Sequence, residues 1–236
     1  MRKYFDNIYN KSYDMFLNKI CRNLDNKKKT FIVTANPNTL MCTENDIVMN
    51  DILLDKNVLV VADGIGIIRA LKMLKYNVSE RITGVDLSYD LLEYGNKKKY
   101  SVYFFGATEE VRKKLVKKIN KEYPDLKIVG SCNGYVKNKD NVFDKMVKLQ
   151  PDIILVGMGI PMQEKLIYKH IDKFEKGVFI GVGGSLDVIS GTKKRAPKLF
   201  IKLNLEWLYR ILREPKRIKT FYKNNVKFIF KVKKMK

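Results

Sequence analysis

The sequence predicts an α/β protein, a parallel sheet flanked by helices with a basic helical appendage at its C-terminal end, and three observations carry that reading. Apolar runs rich in Val, Ile, Leu and Phe recur at residues 31–33, 58–61, 101–105, 126–129, 153–156 and 178–182, and most are unbroken, as strands of a parallel sheet buried on both faces must be. Segments of helical period lie between them. Two of the strands empty into glycine loops, at Gly157 to Gly159 and at Gly183 and Gly184. With 236 residues, 45% of them hydrophobic, the chain can build one substantial core and is excluded from the disordered class.

Taken in order, residues 13–24 form a weak amphipathic helix ahead of the run Asn26, Lys27, Lys28, Lys29. The strand at 31–33 delivers Thr34, Ala35, Asn36 and Pro37. With a side-chain period of two, Thr34 and Asn36 present hydrogen-bonding groups on one side of the extended chain; the commoner arrangement of such residues is a helix cap and a turn. The strand at 58–61 ends in Ala62, Asp63 and Gly64. A carboxylate at the C-terminal end of a strand suits a general base or a contact to a sugar hydroxyl, although an isolated Asp-Gly is more often a turn. A helix at 67–74 follows, and then Arg81, whose planar guanidinium can hold a diphosphate bidentately. The strand at 101–105 leads to a helix at 109–123, where lysines alternate with Leu115, Val116 and Ile119 as on a solvated face over a core. The strand at 126–129 delivers Asn133, Gly134 and Tyr135, and Tyr135 suits a nucleobase stack and a half-buried core position equally. A helix at 141–149 returns the chain to the strand at 153–156.

The stretch 151–197 organises the rest. Its first strand breaks at Gly157, Met158 and Gly159, and Pro161 then suits the first turn of a helix carrying Gln163 and Glu164. Its second breaks at Gly183 and Gly184 before Asp187 and Arg195. Any one of these glycines alone would make a tight turn. Two adjacent strand ends of this kind offer bare backbone N–H groups at the sheet edge where ligands of open α/β folds sit, which makes Gly157, Gly159, Gly183, Gln163, Glu164, Asp187 and Arg195 candidates for substrate binding. After Pro197 the spacing predicts one helix over 198–212, with Leu199, Leu203, Trp207, Leu208, Ile211 and Leu212 on one face and Lys202, Arg210 and Arg213 on the other. Beyond Pro215, lysines interleave with Phe221, Tyr222, Phe228, Ile229 and Phe230, which suits a segment lying in lipid headgroups or a platform for single-stranded nucleic acid. The chain thus divides into a core, 1–195, and a basic amphipathic appendage, 196–236.

The net charge is +22, and residues 192–236 hold sixteen Lys or Arg against Glu206 and Glu214. So concentrated an excess calls for an anionic membrane face or nucleic acid. Cys21, Cys42 and Cys132 are scattered, with no CxxC, and are expected to be reduced packing residues. The N-terminal stretch carries acids and no uninterrupted apolar core, so a secretory signal is not expected, and no run reaches the length of a membrane span.

The motifs TANP, ADGIGI, ERITGVDL, GYV, VGMGIPMQE, GVGGSLDVISGTKKRAP and LEWLYRILREPKR, in register from about Thr34 to Phe221, resemble the WecG/TagA/CpsF glycosyltransferases. The resemblance implies a Rossmann-like fold and an inverting transferase that moves a sugar, often N-acetylmannosamine, from a UDP-sugar to a polyprenyl-diphosphate-linked N-acetylglucosamine, for cell-surface polysaccharide or teichoic acid. It implies no cofactor and no metal, and a basic C-terminal segment that engages the membrane, placing the protein on the cytoplasmic face of the bacterial membrane. By the same comparison Asp63 is the base, and Thr34, Asn36 and Gln163 line the sugar pocket. Arg81 meets the acceptor or phosphates, Tyr135 and Asp187 meet the nucleotide, and Arg210 and Arg217 face the diphosphates. Where relatives often read Pro-x-Arg-x-x-Arg-Tyr, this chain has Thr220 at the second Arg position and Phe221 at the Tyr position.

The residues themselves are compatible with that chemistry. Inverting displacement at an anomeric carbon needs a base for the acceptor hydroxyl and a cation or helix dipole for the departing diphosphate. No Asp-x-Asp is present to hold a divalent ion, and arginines can supply its charge. Two other classes compete: a nucleotide-dependent oxidoreductase, which lacks its GxGxxG here, and a nucleic-acid-binding protein, supported by charge alone. No nucleic-acid partner is therefore expected, and a homo-oligomer is compatible with the sequence.

Overall fold

The computed structural model describes residues 1–215, 218 and 221–235. Six strands, β1 (Thr30–Ala35), β2 (Val58–Ala62), β3 (Ser101–Gly106), β4 (Lys127–Cys132), β5 (Ile153–Gly157) and β6 (Val178–Gly181), form one sheet in the order β2-β1-β6-β5-β3-β4, with every pair parallel. This is the Rossmann-like α/β architecture expected. Strand residues alternate between two cores. Phe31 and Val33 of β1, Tyr103 and Phe105 of β3, and Ile154 and Val156 of β5 belong to one core, while Ile32, Val102, Phe104, Ile153 and Leu155 belong to the other. Burial on both faces explains why these strands read as continuous apolar runs.

Helices α1 (Arg2–Phe5), α3 (Pro37–Cys42), α4 (Ile47–Leu54), α5 (Ile65–Met73), α8 (Asp140–Leu149) and α9 (Met162–His170) supply buried residues to the first core. On the other face lie α2 (Tyr13–Asp25), α6 (Gly84–Lys98), α7 (Glu109–Glu122) and α10 (Ser185–Ile189). The caps follow the sequence locally: Ser12, Thr83 and Thr108 each accept a bond from the third residue of their helix with the side-chain hydroxyl, the usual N-cap arrangement. Helices α3, α4 and α6 were not legible in the periodicity. The three cysteines are free and half-buried.

The single helix expected over 198–212 is two helices, α11 (Lys198–Lys202) and α12 (Glu206–Arg213). Asn204 adopts a left-handed backbone, φ 59°, the Leu205 N–H returns to the Phe200 carbonyl at 2.7 Å and the Asn204 N–H to that of Ile201 at 3.0 Å. That pair of bonds is a Schellman closure, and Asn tolerates the conformation it requires. The apolar face expected to pack is therefore divided, with Leu199, Leu203 and Leu212 exposed. Near the C-terminus a π-helical turn (Tyr222–Val226) leads into α13 (Lys227–Lys233). Phe228 and Val232, four residues apart, bury in the first core, with the Phe228 ring edge-on to Phe5 at 6.4 Å. The lysine-rich tail is thus docked along one face, while Tyr222 and Phe230 stay exposed.

Candidate active site

Because all six strands run parallel, their C-terminal ends deliver Asn36, Asp63, Ala107, Asn133, Met158 and Val182 to one edge of the sheet. Asp63 follows β2 at the outer end of that edge and Asn36 follows the neighbouring strand β1. The glycine loops after β6 and β5 lie two and three strands from Asp63, roughly 10–14 Å at sheet spacing.

The Asp63 backbone N–H continues the ladder by donating to the Ala35 carbonyl at 2.9 Å, which sets the carboxyl at the floor of a cleft of about 620 Å3. The sequence motif ADGIG explains the tight packing there. A Cβ on Gly66 would come within 2.7 Å of the Pro37 ring, so glycine is needed for α5 to approach the turn after β1. Asn36 lines the same cleft and caps α3, its Oδ1 accepting from the Asn38 and Thr39 N–H groups at 2.9 and 3.3 Å. Thr34 is buried beneath, donating to the Gly181 carbonyl at 3.0 Å, with its methyl under Gly84. Thr34 and Asn36 thus hold the strand ends that frame Asp63.

The far wall of the cleft comes from the C-terminal segment: Glu206, Trp207, Arg210 and Ile211 of α12, then Phe221, Asn225, Val226, Ile229, Phe230 and Lys233. Trp207 and Phe221 stack at 4.6 Å with their ring planes nearly parallel. Arg81 reaches across from the loop before α6 to Glu206 (3.5 Å), and Arg210 binds the other oxygen of Glu206 at 2.9 Å. Burial raises the Asp63 carboxyl; Arg210 and Arg81 pull it back, Glu206 raises it again and the Gly84 N–H lowers it, leaving it at about 6. A carboxyl so tuned is ionised at neutral pH yet far more basic than an ordinary aspartate, the property wanted in a general base.

The glycine loops are arranged differently. Gly157 ends β5 so close to the next loop that a Cβ there would lie 2.7 Å from the Gly183 carbonyl, while Gly159 and Gly183 have φ of +79° and +49°. Their N–H groups, expected to be bare, are not: both donate to Oε1 of the buried Gln163, at 3.1 and 2.9 Å. Gln163 is a clasp between the loops, and its Nε2 donates to Glu164 at 2.7 Å. Glu164 is fully buried, and burial pushes its carboxyl up to about 7 against the pull of the Gln163 amide.

Beside this clasp, Gly184, Thr192, Lys193, Lys194, Tyr209, Arg210, Arg213 and Glu214 line a second cleft of about 470 Å3. Asp187 stands near it, its carboxylate 3.7 Å from Lys193. Arg195 is committed to a bidentate pair with Asp86 at 2.6 and 2.7 Å, tying the loop after α10 to the start of α6. Tyr135 is 78% exposed, and its N–H donates to Asn133 at 2.9 Å, leaving the ring in solvent near the ends of β3 and β5. Arg217 lies outside the described residues, as do Lys219 and Thr220.

The structure therefore gathers Asp63, Asn36, Arg81 and Arg210 in one cleft, sets Gln163, Glu164, Gly157, Gly159 and Gly183 at the neighbouring loops, and places Tyr135 apart. Sequence reasoning did not single out Glu206, and it set Trp207 on a helix face and Phe221, Ile229 and Phe230 in a headgroup segment without joining them as the apolar wall of this cleft. The four-residue spacing of Glu206 and Arg210 was the signal available for the first; the second required the fold of the tail.

A tuned carboxylate at a strand end, opposed by guanidiniums and an apolar wall, is the equipment of a group-transfer enzyme whose substrate is both anionic and greasy. The model of the glycosyl transferase WecG/TagA/CpsF family matches residues 5–236, and the chain belongs to that family. The match includes α13, beyond the span in which the resemblance was read. The chain is similar to the N-acetylglucosaminyldiphosphoundecaprenol N-acetyl-beta-D-mannosaminyltransferase of Bacillus subtilis strain 168, 39% identical over 83% of this chain and 76% of that one. It is similar also to the protein of the same name from Staphylococcus aureus strain MW2, 39% identical over 87% and 80%. The oxidoreductase and nucleic-acid readings give way to a glycosyltransferase.

Proposed function

We propose that this enzyme transfers N-acetylmannosamine, or a closely related sugar, with inversion from a UDP donor to a polyprenyl-diphosphate-linked N-acetylglucosamine, in the synthesis of a bacterial cell-surface polymer. The observation that carries this is the Asp63 cleft. A carboxylate poised near 6 takes the proton from the acceptor hydroxyl as that oxygen attacks the anomeric carbon and the bond to the UDP oxygen breaks. Arg81 and Arg210 supply positive charge toward diphosphate, and the apolar wall suits the first lipid units of the acceptor. Lys193, Lys194 and Arg213, in the cleft that shares Arg210, suit the departing nucleotide's phosphates. Metal-free transfer is part of the proposal, supported by the guanidinium and ammonium groups that line both clefts and can supply the positive charge a divalent ion would otherwise bring.

No described helix is long and apolar enough to cross a membrane. Exposed Leu199, Leu203 and Leu212, on elements that also carry Lys198, Lys202 and Arg213, support a peripheral seat on the anionic inner leaflet. The test is a panel of UDP-sugars offered to the full chain with a short-chain lipid-diphosphate-N-acetylglucosamine, read by mass spectrometry with and without EDTA. Transfer from UDP-N-acetylmannosamine that persists in EDTA is expected. No transfer from any donor would overturn the reading, and loss in EDTA restored by Mg2+ would overturn its metal-free part.

A further inference from the structure

Glu206 is a buried carboxylate that the transfer step as written does not use. Its side chain is 9% exposed, and it opens α12, the first long helix after the core. Each oxygen has a guanidinium. Oε1 accepts from Arg210, one turn along the same helix, and Oε2 faces Arg81, which belongs to the core. All three line the cleft above Asp63. The Schellman closure at Asn204 is what turns α12 so that Glu206 points inward while Leu203 points out.

This placement has two consequences. Left alone, two long cationic side chains at a wet cleft would sample many rotamers; anchored to one carboxylate, they share a fixed position facing the opening. The groups that face Asp63 are Arg81, Arg210, Glu206 and the Gly84 N–H, with Arg69 of α5 and Lys233 of α13 lining the same cleft. Among the carboxylates of that set, Glu206 is the one whose charge opposes the arginines at Asp63.

We propose that Glu206 is a positioning residue: by pairing with Arg81 of the core and Arg210 of the C-terminal segment it latches α12 over the cleft, aims both guanidiniums at the acceptor diphosphate, and offsets their charge at Asp63. The inference rests on the reading of Asp63 as the transferase base. It assigns the C-terminal segment an electrostatic part in catalysis that is independent of any membrane.

The test uses the full chain and a short-chain, water-soluble lipid-diphosphate-N-acetylglucosamine, with kinetics across pH for wild type, Glu206→Gln and Glu206→Asp, and thermal unfolding of each. Glu206→Gln keeps the shape and removes the charge. It is expected to raise the acceptor KM roughly tenfold, on the scale of one hydrogen bond to a charged group, with the donor KM unchanged. The acid limb of kcat/KM, which reports the free enzyme's base, is expected to move to lower pH, because two guanidiniums then act on Asp63 unopposed. Glu206→Asp retains the charge and should restore the acid limb even where its shorter side chain leaves the acceptor KM raised. An unchanged acceptor KM and acid limb in a folded Glu206→Gln protein would overturn the proposal. A lower acceptor KM would do so too, by making Glu206 a competitor of the diphosphate. If Glu206→Gln does not fold, an acid limb in Glu206→Asp displaced as far as removal of the charge predicts would overturn it. Absence of transfer by the wild type would instead overturn the transferase reading on which it rests.

Discussion

The two ends of the ligand edge solve the same backbone problem in opposite ways. At the glycine loops, the polar groups released by β5 and β6 are satisfied internally: the Gly159 and Gly183 N–H groups both go to Gln163, whose own amide goes to Glu164. At the β2 end, Asp63 meets charges on other elements, Arg81, Arg210 and Glu206, with the Gly84 N–H as its backbone donor, and the carboxyl still lines an open cleft. The first arrangement builds rigidity and the second leaves a reactive group facing a cleft. An edge rich in glycine is thus no measure of how many N–H groups it offers to a ligand. Where a side chain such as Gln163 can reach two of them, these half-buried donors are paired before any ligand arrives.

That contrast can be broken most directly at Asp63. Asp63→Asn should lower turnover by roughly 10²–10⁴-fold, the usual range for a positioned base, with the unfolding temperature at pH 8 unchanged or raised, because the asparagine has no charge to bury. Wild-type turnover should climb with pH through about 6, the value of the Asp63 carboxyl, and level off above it. Steady-state kinetics of the purified variant, with a melting curve, check both; near-normal turnover would remove Asp63 from the chemistry.

Gln163→Leu should act the other way round. Stripping two half-buried N–H groups of their acceptor costs each at most about 1–3 kcal/mol, so the variant should lose about 1–3 kcal/mol in a denaturant melt before any specific kinetic effect is seen. A variant with full stability and little turnover would make Gln163 a substrate contact and erase the distinction between the two ends.

The smallest effect is expected at Glu164. Burial raises its folded-state carboxyl to about 7 from an ordinary value near 4.5, so between those values the folded chain holds a proton that the unfolded chain releases. Stability therefore falls as pH rises through that window, and the penalty is complete above it. Glu164→Gln should abolish this dependence, gaining on wild type by about 2 kcal/mol or less between pH 5 and pH 8. Equal pH profiles of unfolding would show that the carboxyl is better solvated than its position implies.

Some of this molecule was written in the chain. Apolar runs identified all six strands, most clearly where a strand is buried on both faces and has no polar side to obscure it, and least clearly in the edge strand β4, which is half-buried. The strand-end position of Asp63 followed directly, since the residue after such a run in a parallel sheet emerges at the ligand edge. The local helix signals were weaker. Helix α6 opens with Gly84 after a polar loop, and α12 is separated from α11 by a left-handed residue that helical spacing does not register. The partners of each polar group were not legible at all. Nothing in the order of residues says that Gln163 folds under two loops, that Arg195 goes to Asp86, or that Phe228 reaches Phe5. Those pairings join positions far apart in sequence, and packing of the whole chain decides them. The sequence alone determined the sheet, its edge and the chemistry available there. The tertiary structure decided which of those groups are consumed in holding the fold and which are left facing a cleft, because a polar group's role depends on whether another part of the chain can reach it.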